Sequence, residues 1–553
     1  MLQKDFKAFK KRFSQKIVIM NFRTAHYIFK HFILATLLFC PLFSNAQTVE
    51  EGLKFLSIEQ YTNARAVFNK LLAQNNSAES HFYMGYYHLK MEAPDSADLF
   101  FRKGLSLDPK YLLNQVGVGM VQMYKCKKAE AKMNFDAALK ATKNKDMTVI
   151  ARVGEAYTAY ENCTDFDAAV ALLKEAAEQK TVNEDIFLTL GDAYMSKTTT
   201  GGEAVSAYEK AIKQNPKSAR AYIRIGKIYV RAKNYNEALK YYRQGIDADP
   251  GYSPGYRETA ELLFKAGRYA EAVENYAKYI EMSDNSTYTL FKYAKFLYLA
   301  KEWQKCKDVL TKLKPTLDDP VLYRLLGHAE HELGNQPAAE AAMKTFFGAA
   351  KADQVLFVDY EYMTRIYLKS GQDSLAAEFL IKTAQMDSAK SRNNQYAEAA
   401  DIYFKLKSYK KAAALYEQYI ALGTYKANNL LSLGKAYFFE KDNVKADTTF
   451  GRLIAEYPAV QNGYIWRARV KVRLDPESSQ GLAQPYYEKF VELILAKPDL
   501  IEKNKKDLVE AHLYLGYRFV LLKNKEKADI NWNKALEYEP GNARAQEGLK
   551  FKF

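Results

Sequence analysis

The chain has 553 residues, of which 48% are hydrophobic and 26% charged, a balance that argues against disorder, a collagen and a polytopic membrane protein. With 42 Tyr but only 14 Pro and 26 Gly, it lacks the turn formers of an all-β protein. Part of the formal charge of +16 sits at the start: residues 1–46 hold eight bases and one acid, Asp5, and without them 73 bases face 64 acids, +9. Lys and Glu are interleaved along the rest, as on a solvated helix face, not gathered into the basic patch of a nucleic-acid binder.

The first predicted element is an address. Phe32–Phe43 (FILATLLFCPLF) is an apolar run of twelve, short of the roughly 20 residues that span a bilayer. Arg23 and Lys30 precede it, and Ser44-Asn45-Ala46 puts small residues at −3 and −1 of a cut before Gln47. This is the pattern of a cleavable secretory signal over residues 1–46, with Met20 a second candidate start. Cys40 follows Leu38-Phe39, which are bulky where a lipidation site takes small residues, so it reads as part of the discarded apolar core. The mature chain is expected to work in the bacterial periplasm, with no transmembrane helix.

From Thr48 onward a unit repeats. A small residue is followed twelve positions later by Ala, four on by an aromatic or Leu, and three on by another small or apolar residue. Gly52…Ala64…Phe68…Leu71 opens the series, and Gly85…Ala97…Phe101…Gly104 follows. Gly191…Ala204…Tyr208…Ala211 has one extra residue in its turn. Gly226…Ala238…Tyr242…Gly245, Ala260…Ala272…Tyr276…Tyr279 and Ala294…Cys306…Leu310…Leu313 step by 34. Gly327…Ala339…Met343, Gly434…Ala446…Phe450 and Gly516…Ala528…Trp532 continue it, with weaker units around Gly119, Gly154, Thr364, Ala400 and Ala468. Each helix carries an apolar stripe that a lone unit cannot bury, so the units must stack.

Motifs such as Ile225-Gly226-Lys227-Ile228-Tyr229 and Leu433-Gly434-Lys435-Ala436-Tyr437, each with a closing Pro after the second helix (Pro250, Pro458), resemble the tetratricopeptide repeat (TPR). About fourteen units in phase cover Thr48 to Pro540. The resemblance implies an all-α, right-handed TPR solenoid over residues 47–541, and residues 542–553 read as a C-terminal capping helix. Lys197–Gly202, Ser388–Gln395 and Leu474–Pro485 break the spacing and are predicted loop insertions or joints.

No phosphate loop, dinucleotide motif or nucleophile elbow is present, so the chain reads as no enzyme and as needing no cofactor. His328 and His331 share a helix face, but at i, i+3 and without the order of a metalloprotease helix, so no metal is expected. Cys306 stands where other units have Ala and is predicted to be buried. Cys126 and Cys163 fall near the turns of consecutive units, and a disulfide between them is possible if their Cα atoms come within about 7 Å.

The resemblance also implies a concave groove lined by the first helix of each unit, at positions three before and one and four after the small residue. In the sixth unit these are Ile223, Lys227 and Val230, flanked by Arg220, Arg224 and Arg231. The same count picks out Phe291, Tyr298, Phe438 and Tyr517. Arg220 and Arg224 resemble half of the family's carboxylate clamp, but Ala151, Glu155 and Leu190 stand where the other half needs Lys and Asn. The expected function is a scaffold that binds other envelope proteins through this groove, with no nucleic acid and with membership of a membrane-associated complex open; an accessory that binds peptidoglycan or another glycan is the alternative.

Overall fold

The computed structural model describes residues 48–386, 394–423 and 425–552; the predicted signal segment and most of the polar stretch Ser388–Gln395 lie outside them. Every regular element among the described residues is helical, and they fall into two compact units, one ending at Asn285 and the other beginning at Ser286.

The first unit holds seven antiparallel hairpins: α1 (Val49–Ser57) with α2 (Tyr61–Gln74), α3 (Ala78–Lys90) with α4 (Pro94–Leu107), α5 (Leu113–Tyr124) with α6 (Lys128–Ala141), α7 (Met147–Thr158) with α8 (Phe166–Ala177), α9 (Glu184–Met195) with α10 (Gly201–Gln214), α11 (Ala219–Arg231) with α12 (Tyr235–Ala248), and α13 (Ser253–Lys265) with α14 (Tyr269–Met282). The second holds seven more: α15 (Thr287–Leu299) with α16 (Trp303–Leu313), α17 (Pro320–Glu332) with α18 (Gln336–Ala349), α19 (Phe357–Lys369) with α20 (Asp373–Met386), α21 (Asn394–Lys405) with α22 (Tyr409–Ala421), α23 (Ala427–Glu440) with α24 (Asn443–Glu456), α25 (Gln461–Leu474) with α26 (Gln484–Leu495), and α27 (Lys505–Leu521) with α28 (Lys525–Tyr538). A short α29 (Ala543–Leu549) follows. The all-α repeat solenoid expected from the periodicity is therefore the fold.

Helix starts follow local chemistry. Thr48, Asp146 and Asn183 accept from the first-turn N–H groups of α1, α7 and α9, satisfying donors that have no partner inside the helix. In eleven of the fourteen hairpins the turn between the helices passes through one left-handed residue, from Glu59 (φ 62°) to Lys523 (φ 55°). Only three of these are Gly, at 267, 334 and 371, so most hairpins accept about 1–2 kcal/mol of backbone strain to reverse within a few residues.

The small residue of the first helix sits directly under the large residue of the second. A Cβ built on Gly85 would stand 2.6 Å from the Phe101 ring, and one on Gly516 2.6 Å from the Trp532 indole. The same pairing joins Gly119 to Phe135, Gly226 to Tyr242 and Gly434 to Phe450. Tyr208, Tyr242, Tyr276 and Tyr416 are among the largest fully buried side chains, which is where much of the tyrosine goes. Each such burial contributes on the order of 1.5–3 kcal/mol.

The irregular segments are tied down. In KTTTGG the Thr200 hydroxyl donates to Tyr194 O, and α10 starts at Gly201. In the Leu474–Pro485 insertion, Asp475 accepts from the backbone N–H groups of Gln480, Gly481 and Leu482, and Arg518 donates to the carbonyls of Ser478 (2.9 Å) and Ser479 (3.1 Å). Burial would raise the Asp475 carboxyl, but those donors hold it below its ordinary value.

The close approach sets a test. Gly85→Ala is expected to destabilise its hairpin by about 1–3 kcal/mol, because Phe101 must leave its position. Gly202→Ala, with nothing within 4 Å of the new carbon, should instead stabilise by roughly 0.5–1 kcal/mol through helix propensity. Denaturant unfolding of the two variants reads the opposite signs.

Candidate functional site

In the first unit the inner face is built from first helices, and its charges neutralise one another. Arg220 pairs with Asp185 (3.3 Å), Arg224 with Asp192 (2.8 Å) and Lys227 with Glu258 (2.9 Å), while Arg231 donates to Met195 O (3.0 Å). Asp192 also accepts from the Tyr208 hydroxyl. The four basic residues singled out in the sequence are thus each engaged by the preceding or following hairpin. Ile223, counted as a groove position, is 2% exposed and packs in the core.

Glu155, which stands at a would-be clamp position, is the hub of a second cluster. It accepts from Lys90 (2.6 Å), Arg152 (2.8 Å) and the Tyr86 hydroxyl (2.9 Å). Burial alone would raise its carboxyl; Lys90 and Arg152 outweigh that and hold it well below the usual carboxylate range. These residues come from α3 and α7, so the cluster ties the second hairpin to the fourth across the one between them.

Cys126 and Cys163 lie in the turns of the third and fourth hairpins with Cα atoms 5.4 Å apart, and their sulfurs are joined. Cys306 is buried and reduced, and burial pushes its thiol up to about 12.

The second unit carries a buried polar chain that sequence reading missed. The Tyr298 hydroxyl meets His328 Nδ1 at 2.9 Å, and His328 Nε2 lies 3.5 Å from Asp359 Oδ1. Asp359 is also 2.9 Å from Arg324, and the His328 ring stacks on Tyr362 at 3.7 Å. His331 turns instead to Gln336. Tyr298 therefore spends its polar end inside the fold rather than in a groove. Phe291 is likewise 6% exposed. Among the described residues no group of three His, Cys, Asp or Glu is disposed to hold a metal.

The groove lies at the far end of this unit. Side chains of α23 and of α25 to α29 line an open groove of about 1040 Å³. Phe438, from α23, forms one wall beneath Arg473, whose guanidinium stands 3.3 Å from the ring centre and donates to Phe438 O. Burial lowers the Arg473 guanidinium from its ordinary value. Arg469 is fixed by Asp507 (2.6 Å) and Glu510 (2.7 Å), and Glu510 accepts from the Tyr487 hydroxyl. Tyr517 is 44% exposed, while Trp532 at the base is 5% exposed with its indole N–H unpartnered. Lys506 and Arg544 line the groove and have no carboxylate partner among the described residues.

Two of the four aromatic residues predicted for the groove, Phe438 and Tyr517, do line it; the cations beside them were not foreseen. For Arg469 and Arg473 the signal was the segment RARVKVR in α25. Cations at every second position split on a helix into two i, i+4 pairs. Arg467 and Lys471 reach Asp447, and Arg469 and Arg473 face the groove.

Family models for the tetratricopeptide repeat match residues 201–253 and 429–459. The crystal structure of the C-terminal part of a TPR repeat-containing protein from Cytophaga hutchinsonii is 31% identical, covers 47% of this chain and 100% of its own, and superposes with a TM-score of 0.35. No curated protein matches the chain.

Two outcomes follow from this chemistry. Burial lowers the imidazoles of His328, His331 and His512 below 6.5, so the folded state holds fewer protons on them than the unfolded chain. Their contribution is complete above pH 6.5 and declines below it. The thermal midpoint is expected to fall between pH 7 and 5, and less steeply in His328→Phe. Separately, dithiothreitol should lower the wild-type midpoint, by the equivalent of roughly 2–4 kcal/mol in the hairpins it joins, and leave a Cys126→Ser/Cys163→Ser variant unmoved.

Proposed function

The chain belongs to the tetratricopeptide-repeat family, and on that premise we propose that it is a non-catalytic scaffold of the bacterial cell envelope that grips partner proteins in the terminal groove of its second unit. Repeats of this family serve protein–protein interaction in general, and stacking them yields an extended surface able to hold a segment of another chain. The observation that carries the reading is that groove of about 1040 Å³, with Phe438, Tyr517 and Trp532 beside Arg473, Lys506 and Arg544. Aromatic and Arg anchors set around a desolvated pocket are the usual centres of protein-binding energy.

The inner face of the first unit is a weaker candidate, because its cations already have partners. A glycan would want open ring faces. Tyr517 offers one, but Phe291 and Phe438 are buried and Tyr298 bonds His328, which favours a protein segment. The envelope setting rests on the predicted signal segment, and the joined Cys126 and Cys163 suit an oxidising compartment. Among the described residues no helix is long and apolar enough to cross a membrane.

The test is a photoreactive residue placed at Arg544 in intact cells, with captured proteins identified by mass spectrometry. A reproducible set of envelope proteins is expected. Its yield should fall about 30-fold or more in Tyr517→Ala/Lys506→Glu, the scale of a lost hot spot, and hold in Arg220→Glu. An unchanged yield in the groove variant would overturn the assignment. Capture of nothing, with retention on purified peptidoglycan, would favour the glycan reading instead.

A further inference from the structure

The turn of the first hairpin does not behave like the others. The left-handed residues Glu92, Cys126, Lys233 and Gly267 of the first unit are all exposed, whereas Glu59 is half-buried and its side chain is 17% exposed. It is covered by the seventh hairpin, some 200 residues away in sequence. Its carboxylate accepts from Arg257 and, at 2.6 Å, from the Tyr279 hydroxyl. Its carbonyl accepts from Asp284 N (3.0 Å). On either side, the Ser253 hydroxyl donates to Ile58 O, Gln60 Nε2 donates to Met282 O (2.6 Å), and Thr62 N donates to Asp284 Oδ2 (2.7 Å).

We propose that this turn is a latch that closes the first unit on itself, tying its first hairpin to its seventh. A linear repeat array has only nearest-neighbour contacts, so its first hairpin frays independently of the seventh. Here six hydrogen bonds or ion pairs span the ends of seven hairpins, three of them through one residue. Their geometry is directional and polar, with a fully buried Ser253 and a backbone carbonyl among the partners. The contact is small enough to open without unfolding the hairpins that carry it.

The latch makes the two ends of the unit report on each other, and that is the test. Hydrogen exchange is measured on the full chain and on two single variants, Glu59→Gln and Ser253→Ala. Each cut is read on the opposite side. Glu59→Gln is expected to speed exchange of residues 253–282 at least tenfold, and Ser253→Ala to do the same for residues 49–74. Residues 113–177 should keep wild-type protection in both, showing that the fold survives. Acceleration confined to the mutated hairpin, or none at either end, would overturn the latch. General acceleration that includes residues 113–177 would also overturn it, since the contact would then be part of the core.

Discussion

The contact on which everything else rests is the one between a small residue in the first helix of a hairpin and a large one in the second. Where Gly85 meets Phe101 or Gly516 meets Trp532, the two backbones come so close that a single added carbon has no room. That approach fixes the register of the two helices and turns the ring outward to the neighbouring hairpin. The next hairpin is thereby told where to sit. Hairpin geometry, the apolar stripe and the stacking direction are consequences of one steric rule applied fourteen times. The rule is satisfied with different pairs, Gly under Tyr at 226 and 242, or Gly under Met at 327 and 343, because it concerns volume and not chemistry. Protein interiors tolerate such exchanges when total volume is kept.

That is also why the fold was legible and the site was only partly so. Volume pairs recur at fixed spacing, so they can be counted along the sequence. Polar pairs do not. Nothing near Arg224 announces Asp192, and nothing near Glu59 announces Arg257, since the partner lies one hairpin away in the first case and six in the second. Counting put Phe438 and Tyr517 on a concave groove, and both stand at the edge of the terminal cavity. The same count sent Ile223 and Phe291 to a groove, but both turn into the core. A position on a helix defines a direction to within one side chain's width, and neighbours decide whether that direction ends in solvent. His328 illustrates the limit. Its buried setting depends on Tyr298 and Asp359 from the two flanking hairpins, and only three-dimensional packing joins them.

The two units use similar hairpins to different ends. In the first, inner-face cations and acids come in balanced sets: Lys90 and Arg152 around Glu155, Arg257 and Lys227 around Glu258. Partly exposed pairs of this kind contribute little each, but they leave few charges to offer a partner. In the second, the last hairpins leave a volume that their own side chains do not fill. It is lined by rings and by cations, of which Lys506 and Arg544 have no carboxylate partner among the described residues. A solenoid has no obligatory active site, so specialisation falls to wherever local pairing is incomplete.

The bridge between Cys126 and Cys163 has a mechanical consequence. A chain anchored at both ends and pulled transmits load along its covalent path, and here that path has a shunt. Tension entering at Cys126 passes through sulfur to Cys163, 37 positions on, and the stretch between them bears none of it. At roughly 3.3–3.6 Å per extended residue, about 120–130 Å of slack is withheld from extension. The fourth hairpin's first helix lies wholly within that shielded stretch, so Arg152 and Glu155 keep their pairing while hairpins on either side give way and carry Lys90 and Tyr86 off.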